Sequence, residues 1–117
     1  NPLHCTALGK AMLAYGGLDI PPVLERYTAR TICSKRALSA NLEQIRRAGY
    51  AVDDLEFDPD VRCIAVPVFD FRGKVVGSIG ISGPSSRVTT EKLPILSATV
   101  VEIGKALSER LTFSRED

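Results

Sequence analysis

Residues 62–82, RCIAVPVFDFRGKVVGSIGIS, predict a β-hairpin, and this hairpin indicates the class of fold. Arg62–Phe69 is rich in β-branched residues, which favour strands. Asp70–Gly73 begins with Asp and ends with Gly, the residue types that a tight turn prefers. Lys74–Ser82 follows as the returning strand. An antiparallel sheet is therefore expected.

The length of the turn decides which residues of the two strands face each other. A four-residue loop would pair Phe69 with Lys74 and set Cys63 opposite Gly80. A three-residue loop would turn Cys63 to the other face of the sheet, because side chains alternate along a strand. The turn sequence alone leaves both registers open.

One face of the returning strand is unusually small, since it carries Val76, Ser78, Gly80 and Ser82. Small residues on a strand fit a close helix contact. They also fit a space left for a ligand, in which Ser82 would supply a hydroxyl group. Both interpretations are compatible with the sequence.

The remaining segments are mostly helical. The predicted elements are a helix at Thr6–Tyr15, a short helix at Asp19–Tyr27, a helix at Lys35–Ala48, a strand at Tyr50–Leu55 and a final helix at Glu91–Leu111. Helices followed by strands and a further helix indicate an α+β domain with helices on one or both faces of the sheet. Three strands are few for such a sheet. Either strands that precede residue 1 are missing or a partner chain completes the layer.

Capping residues and apolar stripes support these helices. Thr6 and Ser34 are suitable N-caps, and Gly49 lies where a helix ends in a left-handed residue. Three apolar stripes are expected, namely Leu8, Ala11, Met12 and Tyr15 in the first helix, Leu38, Leu42 and Ile45 in the third, and Leu93, Leu96, Val100, Ile103, Leu107 and Leu111 in the last.

Composition excludes several classes of protein. A chain of 117 residues with 44% apolar and 25% charged residues fits one small globular domain. A net charge of +1 gives no strong field to attract nucleic acid or membrane, and no apolar run is long enough to span a bilayer. Three widely spaced cysteines without a CxxC pair, and the lack of a leader, favour reduced thiols in a cytoplasmic protein.

Catalytic and metal-binding motifs are missing from the sequence. The single histidine, His4, is the only candidate base for a nucleophilic triad, and there is no GxSxG, HExxH or phosphate-binding loop. The acidic residues between Asp53 and Asp60 lack the spacing of a calcium loop and are expected to form a solvated connector. Asp53 itself lies within the strand pattern, so its side chain could face a cavity. We therefore expect no enzyme, no metal and no cofactor.

The start of the first helix is a candidate anion site. The N–H groups of Ala7, Leu8 and Gly9 have no partner within the helix, and the helix dipole adds partial positive charge there. A small carboxylate would bind to them well. The alternative is that Thr6 and water satisfy these donors. Cys63 is by default a small buried residue, because a redox role needs a lowered thiol pKa and access to solvent.

Several segments together resemble the effector-binding domain of the IclR family of bacterial transcription regulators. The match runs from about His4 to Leu111. Its segments are Thr6–Ala11, Arg47–Asp53, Arg62–Asp70 and Ile81–Pro84, in the family's order and approximate spacing.

This resemblance implies a GAF-like α/β fold with a curved antiparallel sheet and a pocket for a small organic acid. The pocket positions that match are Ala7, Leu8, Gly9, Asp53, Cys63, Gly80 and Ser82. The resemblance favours the turn that places Cys63 near Gly80. Some family members have Ser where this chain has Gly80, so one hydroxyl is absent and a slightly larger cavity is expected.

The resemblance also implies that residues 1–117 are an effector-binding domain truncated at its N-terminus, without its first strands. Homodimers or homotetramers are expected, and DNA would be bound only through a winged helix-turn-helix domain absent from this chain. Two other hypotheses stay open. One is an interaction module without a ligand, in which the long helix mediates oligomerisation. The other is a thiol-based redox sensor that uses Cys63.

Overall fold

The computed structural model describes the backbone of residues 1–116 and the side chains of residues 1–111. Its elements, in chain order, are α1 (Ala7–Ala14), α2 (Lys35–Ala48), β1 (Ala51–Asp54), β2 (Val61–Phe69), β3 (Val75–Pro84) and α3 (Leu93–Glu116). The strands form an antiparallel sheet in the order β1-β2-β3. Three helices around this sheet confirm the predicted α+β class.

The central strand β2 separates two cores, because its side chains alternate between the faces of the sheet. Ala65 is fully buried against α1 and α2, and Cys63 packs beside it. Ile64 and Val66 point the other way and pack with Val100 of α3. The sheet is therefore covered on one face by α1, against which α2 packs, and on the other face by α3.

The β2–β3 hairpin corrects the predicted register. Cys63 lies opposite Ser82, whereas Gly80 lies opposite Ala65. Gly73 has φ 75° and its N–H donates to Asp70 O at 3.0 Å, which is the geometry of a type I turn ending in a left-handed residue. This three-residue loop is one residue shorter than the loop that the resemblance favoured. By itself it would have turned Cys63 to the other face of the sheet.

A second irregularity in the hairpin reverses that effect. Phe69 pairs with Val75, as the turn requires, but the register shifts between Val68 and Phe69, so that Val68 pairs with Gly77. The two shifts together move the register by two residues, and two residues preserve the side-chain alternation. Cys63 consequently stays on the same face as Gly80 and Ser82, although its direct partner differs from the one predicted.

Helix α1 begins as predicted but buries a different face. The Thr6 hydroxyl accepts the Gly9 N–H at 3.2 Å, which confirms the N-cap. Leu8 is 47% exposed, although the sequence placed it on the apolar stripe. Lys10 is only 1% exposed instead, because a buried carboxylate described below pairs with it.

Helix α2 matches the prediction closely. Ser34 accepts the Ala37 N–H at 3.0 Å, and Gly49 ends the helix with φ 86°. The predicted stripe is buried, and its members are Leu38, Leu42 and Ile45. Capping and periodicity were therefore sufficient to place this helix.

The short helix predicted at Asp19–Tyr27 is wrong, since this segment is irregular. A residue that precedes proline is disfavoured in the helical region, and Pro21-Pro22 imposes this restriction twice in succession. The N–H groups of Tyr27 and Thr28 are instead accepted by the Thr31 hydroxyl at 3.0 and 2.9 Å. Side-chain hydrogen bonds thus replace the helical ones.

Helix α3 begins two residues later than predicted and continues to Glu116. Leu93, Leu96 and Val100 pack on the sheet, as expected from the stripe. The other predicted stripe residues, Ile103, Leu107 and Leu111, are 45%, 37% and 42% exposed. A three-stranded sheet is too narrow to cover a helix of this length. The prediction of a buried stripe therefore holds only for the first half of α3.

None of the described helices has the length and apolar character to cross a membrane.

Candidate functional site

A cavity of about 340 Å³ lies where the N-terminus of α1 meets the sheet. It is bordered by the end of β1, by the connector to β2, and by both strands of the hairpin. Its lining residues are Asn1, Thr6, Ala7, Leu8, Asp53, Phe57, Asp58, Val61, Cys63, Ile64, Gly80, Ile81 and Ser82. Six of the seven residues selected from the sequence thus lie around one space, and Gly9 is the exception.

The tip of α1 borders this cavity through Thr6, Ala7 and Leu8. The N–H groups of Ala7 and Leu8 have no acceptor among the described residues, as expected for a first helical turn. Gly9 is different, because its N–H is bonded to the Thr6 hydroxyl and the residue borders a separate, smaller concavity. The expectation that Gly9 offers a free amide is therefore corrected.

Asp53 lies in the wall of the same cavity. Its side chain is almost completely buried, and its Oδ1 accepts the Glu56 N–H at 2.8 Å. Burial raises the pKa of this carboxyl above its usual range, and the negative charge of the nearby Glu56 side chain raises it further. The hydrogen bond from the Glu56 N–H and the positive charge of Lys10 lower it. Asp53 therefore takes up a proton more readily than an exposed aspartate does.

Cys63 and Ser82 face each other across the hairpin and complete the floor of the cavity. Burial raises the pKa of the Cys63 thiol, and the charges of Asp53 and Asp58 raise it further, while the Ser82 hydroxyl lowers it. A raised pKa disfavours the thiolate, which is the form that reacts with oxidants. Cys5 is still less reactive, because burial raises its pKa to about 11.

Gly80 is required by a close approach of the two hairpin strands. A Cβ atom at this position would meet Ile64 O at 2.2 Å and Ala65 Cα at 3.0 Å. The absence of a side chain at Gly80 therefore reflects this contact with β2. The slightly larger cavity that the resemblance implied at Gly80 stays a prediction.

Phe57 and Asp58 are among the lining residues that were not selected from the sequence. Both follow β1 in the acidic connector, which was expected to be solvated throughout. The connector instead folds back on itself, and its Glu56 is only 7% exposed. A signal was available in Phe57, since an aromatic residue within an acidic run is unusual for a fully solvated loop.

His4 takes no part in the cavity. It is 3% exposed, and its Nε2 lies 2.7 Å from Glu25 O. This agrees with a packing role. Among the described residues, no group of three or more His, Cys, Asp or Glu side chains could hold a metal ion.

Comparison with known proteins identifies the family. The family described as "Bacterial transcriptional regulator IclR C-terminal" matches residues 1–109. The transcriptional regulator BhcR of Paracoccus denitrificans is 40% identical over 92% of the chain, which spans 41% of that protein. The transcriptional regulator KdgR of Escherichia coli is 39% identical over 97% of the chain, which spans 45% of KdgR. The chain thus spans under half the length of these two relatives.

The crystal structure of the C-terminal domain of E. coli KdgR has the same fold. It superposes with a TM-score of 0.83 and 36% identity over 96% of this chain, which spans 72% of the KdgR chain. These relatives are transcription regulators and not enzymes, which agrees with the prediction made from the sequence. The chain therefore belongs to the IclR family of bacterial transcriptional regulators and corresponds to their C-terminal regulatory domain.

Proposed function

We propose that this domain senses a small organic acid in the cavity between α1 and the sheet, and thereby controls DNA binding by a separate winged helix-turn-helix domain of a cytoplasmic regulator. The observation that supports the proposal most is the shared cavity. Ala7 and Leu8, whose amides have no acceptor among the described residues, line the same space of about 340 Å³ as the polar residues Asp53 and Ser82. Cavities of this size hold small metabolites.

The charge distribution favours a particular orientation of the ligand. None of the described lining residues has a cationic side chain, so the effector carboxylate would bind to the amides of Ala7 and Leu8. The Ser82 hydroxyl would donate a further hydrogen bond. Asp53 and Asp58 also line the cavity. Asp53 would accept a hydrogen bond from an effector hydroxyl or would be protonated, because an ionised carboxylate beside an anion is unfavourable. A hydroxylated acid therefore fits better than a simple one.

Ligand screening by thermal unfolding tests the proposal. Pyruvate, gluconate and benzoate represent keto acids, sugar acids and aromatic acids, and the matching amides provide controls without the carboxylate. An acid at about one hundred times its Kd should stabilise the domain by about 2.7 kcal/mol. Stabilisation by an acid but not by its amide supports the carboxylate site. If no acid of any class raises the midpoint temperature of thermal unfolding, the hypothesis of an interaction module without a ligand is favoured.

Calorimetry on a Ser82 variant tests the site itself. We expect Ser82→Ala to weaken binding of the acid found in the screen by about two- to tenfold, the effect of one hydrogen bond. Ser86→Ala, in the exposed loop after β3, is the matched control and should bind normally. Equal affinities of the wild-type chain and the Ser82 variant would exclude Ser82 from the site.

A second candidate function is oligomerisation through α3, as a homodimer or homotetramer. The exposed apolar residues on the second half of this helix favour it, and it is compatible with effector binding. A redox function of Cys63 is less well supported, because the raised pKa of its thiol predicts slow alkylation at neutral pH.

A further inference from the structure

A buried ion pair connects helix α1 to the acidic connector directly beside the cavity. Lys10 Nζ lies 3.0 Å from both carboxylate oxygens of Glu56 and 3.0 Å from Asn41 Oδ1. The side chains of Lys10 and Glu56 are 1% and 9% exposed. The pair thus joins α1, α2 and the β1–β2 connector at a single buried point.

Stability alone gives a weak reason for such a pair. Removing two charges from water is so unfavourable that apolar residues of similar volume often replace a buried ion pair without loss of stability. Buried charges that persist are therefore often explained by the geometry that they impose. The structure shows which geometry this pair imposes on its surroundings.

The pair fixes the turn that carries Asp53. Leu55 adopts a left-handed conformation with φ 59°, so the chain reverses sharply after β1. Glu56 Oε2 accepts the Asp54 N–H at 3.1 Å, and the Glu56 N–H donates to Asp53 Oδ1 at 2.8 Å. Because Lys10 holds the Glu56 carboxylate, it also fixes the orientation of the Asp53 carboxyl.

The other end of the connection is the helix tip. Lys10 belongs to the first turn of α1, where its N–H donates to Thr6 O at 2.9 Å. Its side chain therefore extends from the same helical turn as the amides of Ala7 and Leu8. The ion pair links this turn to the connector, in addition to contacts of α1 with the sheet such as the hydrogen bond from Ser78 Oγ to Leu8 O at 3.1 Å.

We propose that Lys10 and Glu56 form a positioning pair, which holds the helix-tip amides and Asp53 at the separation that effector binding requires. This inference rests on the proposed function of the same cavity. The pair touches no ligand itself and acts through the backbone of residues 53–56 and the first turn of α1. Its loss should therefore weaken effector binding even where the fold remains intact.

The experiment uses the double variant Lys10→Met/Glu56→Gln, which removes both charges and leaves a side-chain carbonyl for the Asp54 N–H. The matched control is Glu43→Gln/Arg47→Met, which removes the exposed ion pair of α2, whose side chains are 60% and 73% exposed. Calorimetry with pyruvate and with gluconate is the first measurement. We expect affinity to fall by about tenfold or more in the first variant and to stay unchanged in the control.

A second measurement needs no effector. The pH dependence of Cys63 alkylation, in a Cys33→Ser background, reports how closely Asp53 is held to the thiol, since Asp53 and Asp58 are the carboxylates that act on Cys63. Release of Asp53 should move the alkylation profile to lower pH, because loss of a nearby negative charge lowers the pKa of the thiol. A pair that only contributed stability would leave the profile of a folded variant unchanged.

The outcomes separate the two proposals. Wild-type chain that binds neither acid, together with a shifted alkylation profile, contradicts sensing of these acids and supports the positioning pair. A folded double variant with unaltered affinity and an unaltered profile overturns the positioning pair. If the double variant does not fold, Asn41→Ala is used instead. It removes one acceptor of Lys10 and leaves no unpaired charge, because Glu56 still pairs with Lys10. It should shift the profile in the same direction, and an unshifted profile would overturn the inference.

Discussion

At the scale of single residues, two glycines of strand β3 lie in opposite environments. A Cβ atom at Gly80 would meet Ile64 O at 2.2 Å, whereas a Cβ atom at Gly77 would meet nothing within 4 Å. We expect Gly80→Ala to lower the free energy of unfolding by about 2 kcal/mol or more, because backbone atoms must shift. Gly77→Ala should be neutral or slightly stabilising, since alanine restricts the unfolded chain. Urea denaturation of both variants measures the difference, and equal stabilities would refute the close contact at Gly80.

The buried carboxyl of Asp53 predicts a pH dependence of stability. Because its folded pKa is raised, the folded chain binds the proton more tightly than the unfolded chain does. The stabilising effect of this proton is complete below the unfolded pKa and is lost as pH rises through the folded pKa. Asp53→Asn keeps an acceptor for the Glu56 N–H, so we expect it to be more stable than wild type at pH 7 by about 0.5–1 kcal/mol. The difference should disappear at low pH.

Urea denaturation between pH 4 and pH 8 tests this expectation for Asp53. The control is Asp60→Asn, in the exposed part of the same connector, which should follow the wild-type curve. A stability difference at position 53 that does not vary with pH would contradict the raised pKa of Asp53 as its cause.

At the scale of elements, helix α2 offers the same substitution with two opposite effects. Ser34 caps the helix through the Ala37 N–H, and Ser39 is exposed within it. We expect Ser34→Ala to lower the free energy of unfolding by about 1 kcal/mol. Ser39→Ala should raise it by a few tenths, roughly 0.3 kcal/mol, since alanine favours helices. Thermal denaturation of both variants measures the two effects. If Ser39→Ala destabilises the chain, helix propensity does not determine the effect of substitutions on the exposed face of α2.

Elements with local signals could be predicted from the sequence, and those that depend on distant contacts could not. Helix α2 carries its caps and its stripe within sixteen residues, from Ser34 to Gly49, and matched closely. The face of α1 was wrong because Lys10 is buried by a partner 46 residues away. The hairpin register depended on two shifts, one at Gly73 and one after Val68, and only the turn has a signal in the sequence.

The candidate site followed the same rule. Residues that matched the family pattern, such as Asp53 and Ser82, line the cavity. Phe57 and Asp58 also line it, but the conformation of the connector that places them there has no local signal in the sequence. The amide of Gly9 was misjudged because the Thr6 hydroxyl accepts its N–H, which is the alternative that the sequence had left open. Hydrogen-bond partners of this kind are decided only by the assembled structure.

At the scale of the whole molecule, the exposed side of α3 predicts self-association. Ile103, Leu107 and Leu111 repeat every four residues and therefore form one stripe, and they are 45%, 37% and 42% exposed. A net charge of +1 provides little repulsion between copies. A second copy that buried this stripe would remove apolar surface from water on both chains, at about 25 cal/mol for each Å². We expect the chain to associate in sedimentation velocity experiments below about 100 µM.

A pair of charged substitutions on this stripe separates association from folding. Ile103→Lys/Leu107→Lys places two like charges on each copy, so that the stripes repel each other when they meet, and the variant should remain monomeric. Its thermal midpoint at low concentration should change little, because both positions are exposed and contribute little to the core. The control Ala98→Lys/Ala106→Lys adds the same charge to exposed positions of α3 outside the stripe and should associate as wild type does. If wild type stays monomeric at the highest concentration, or if both variants associate equally, the stripe is not the surface through which the chain forms oligomers.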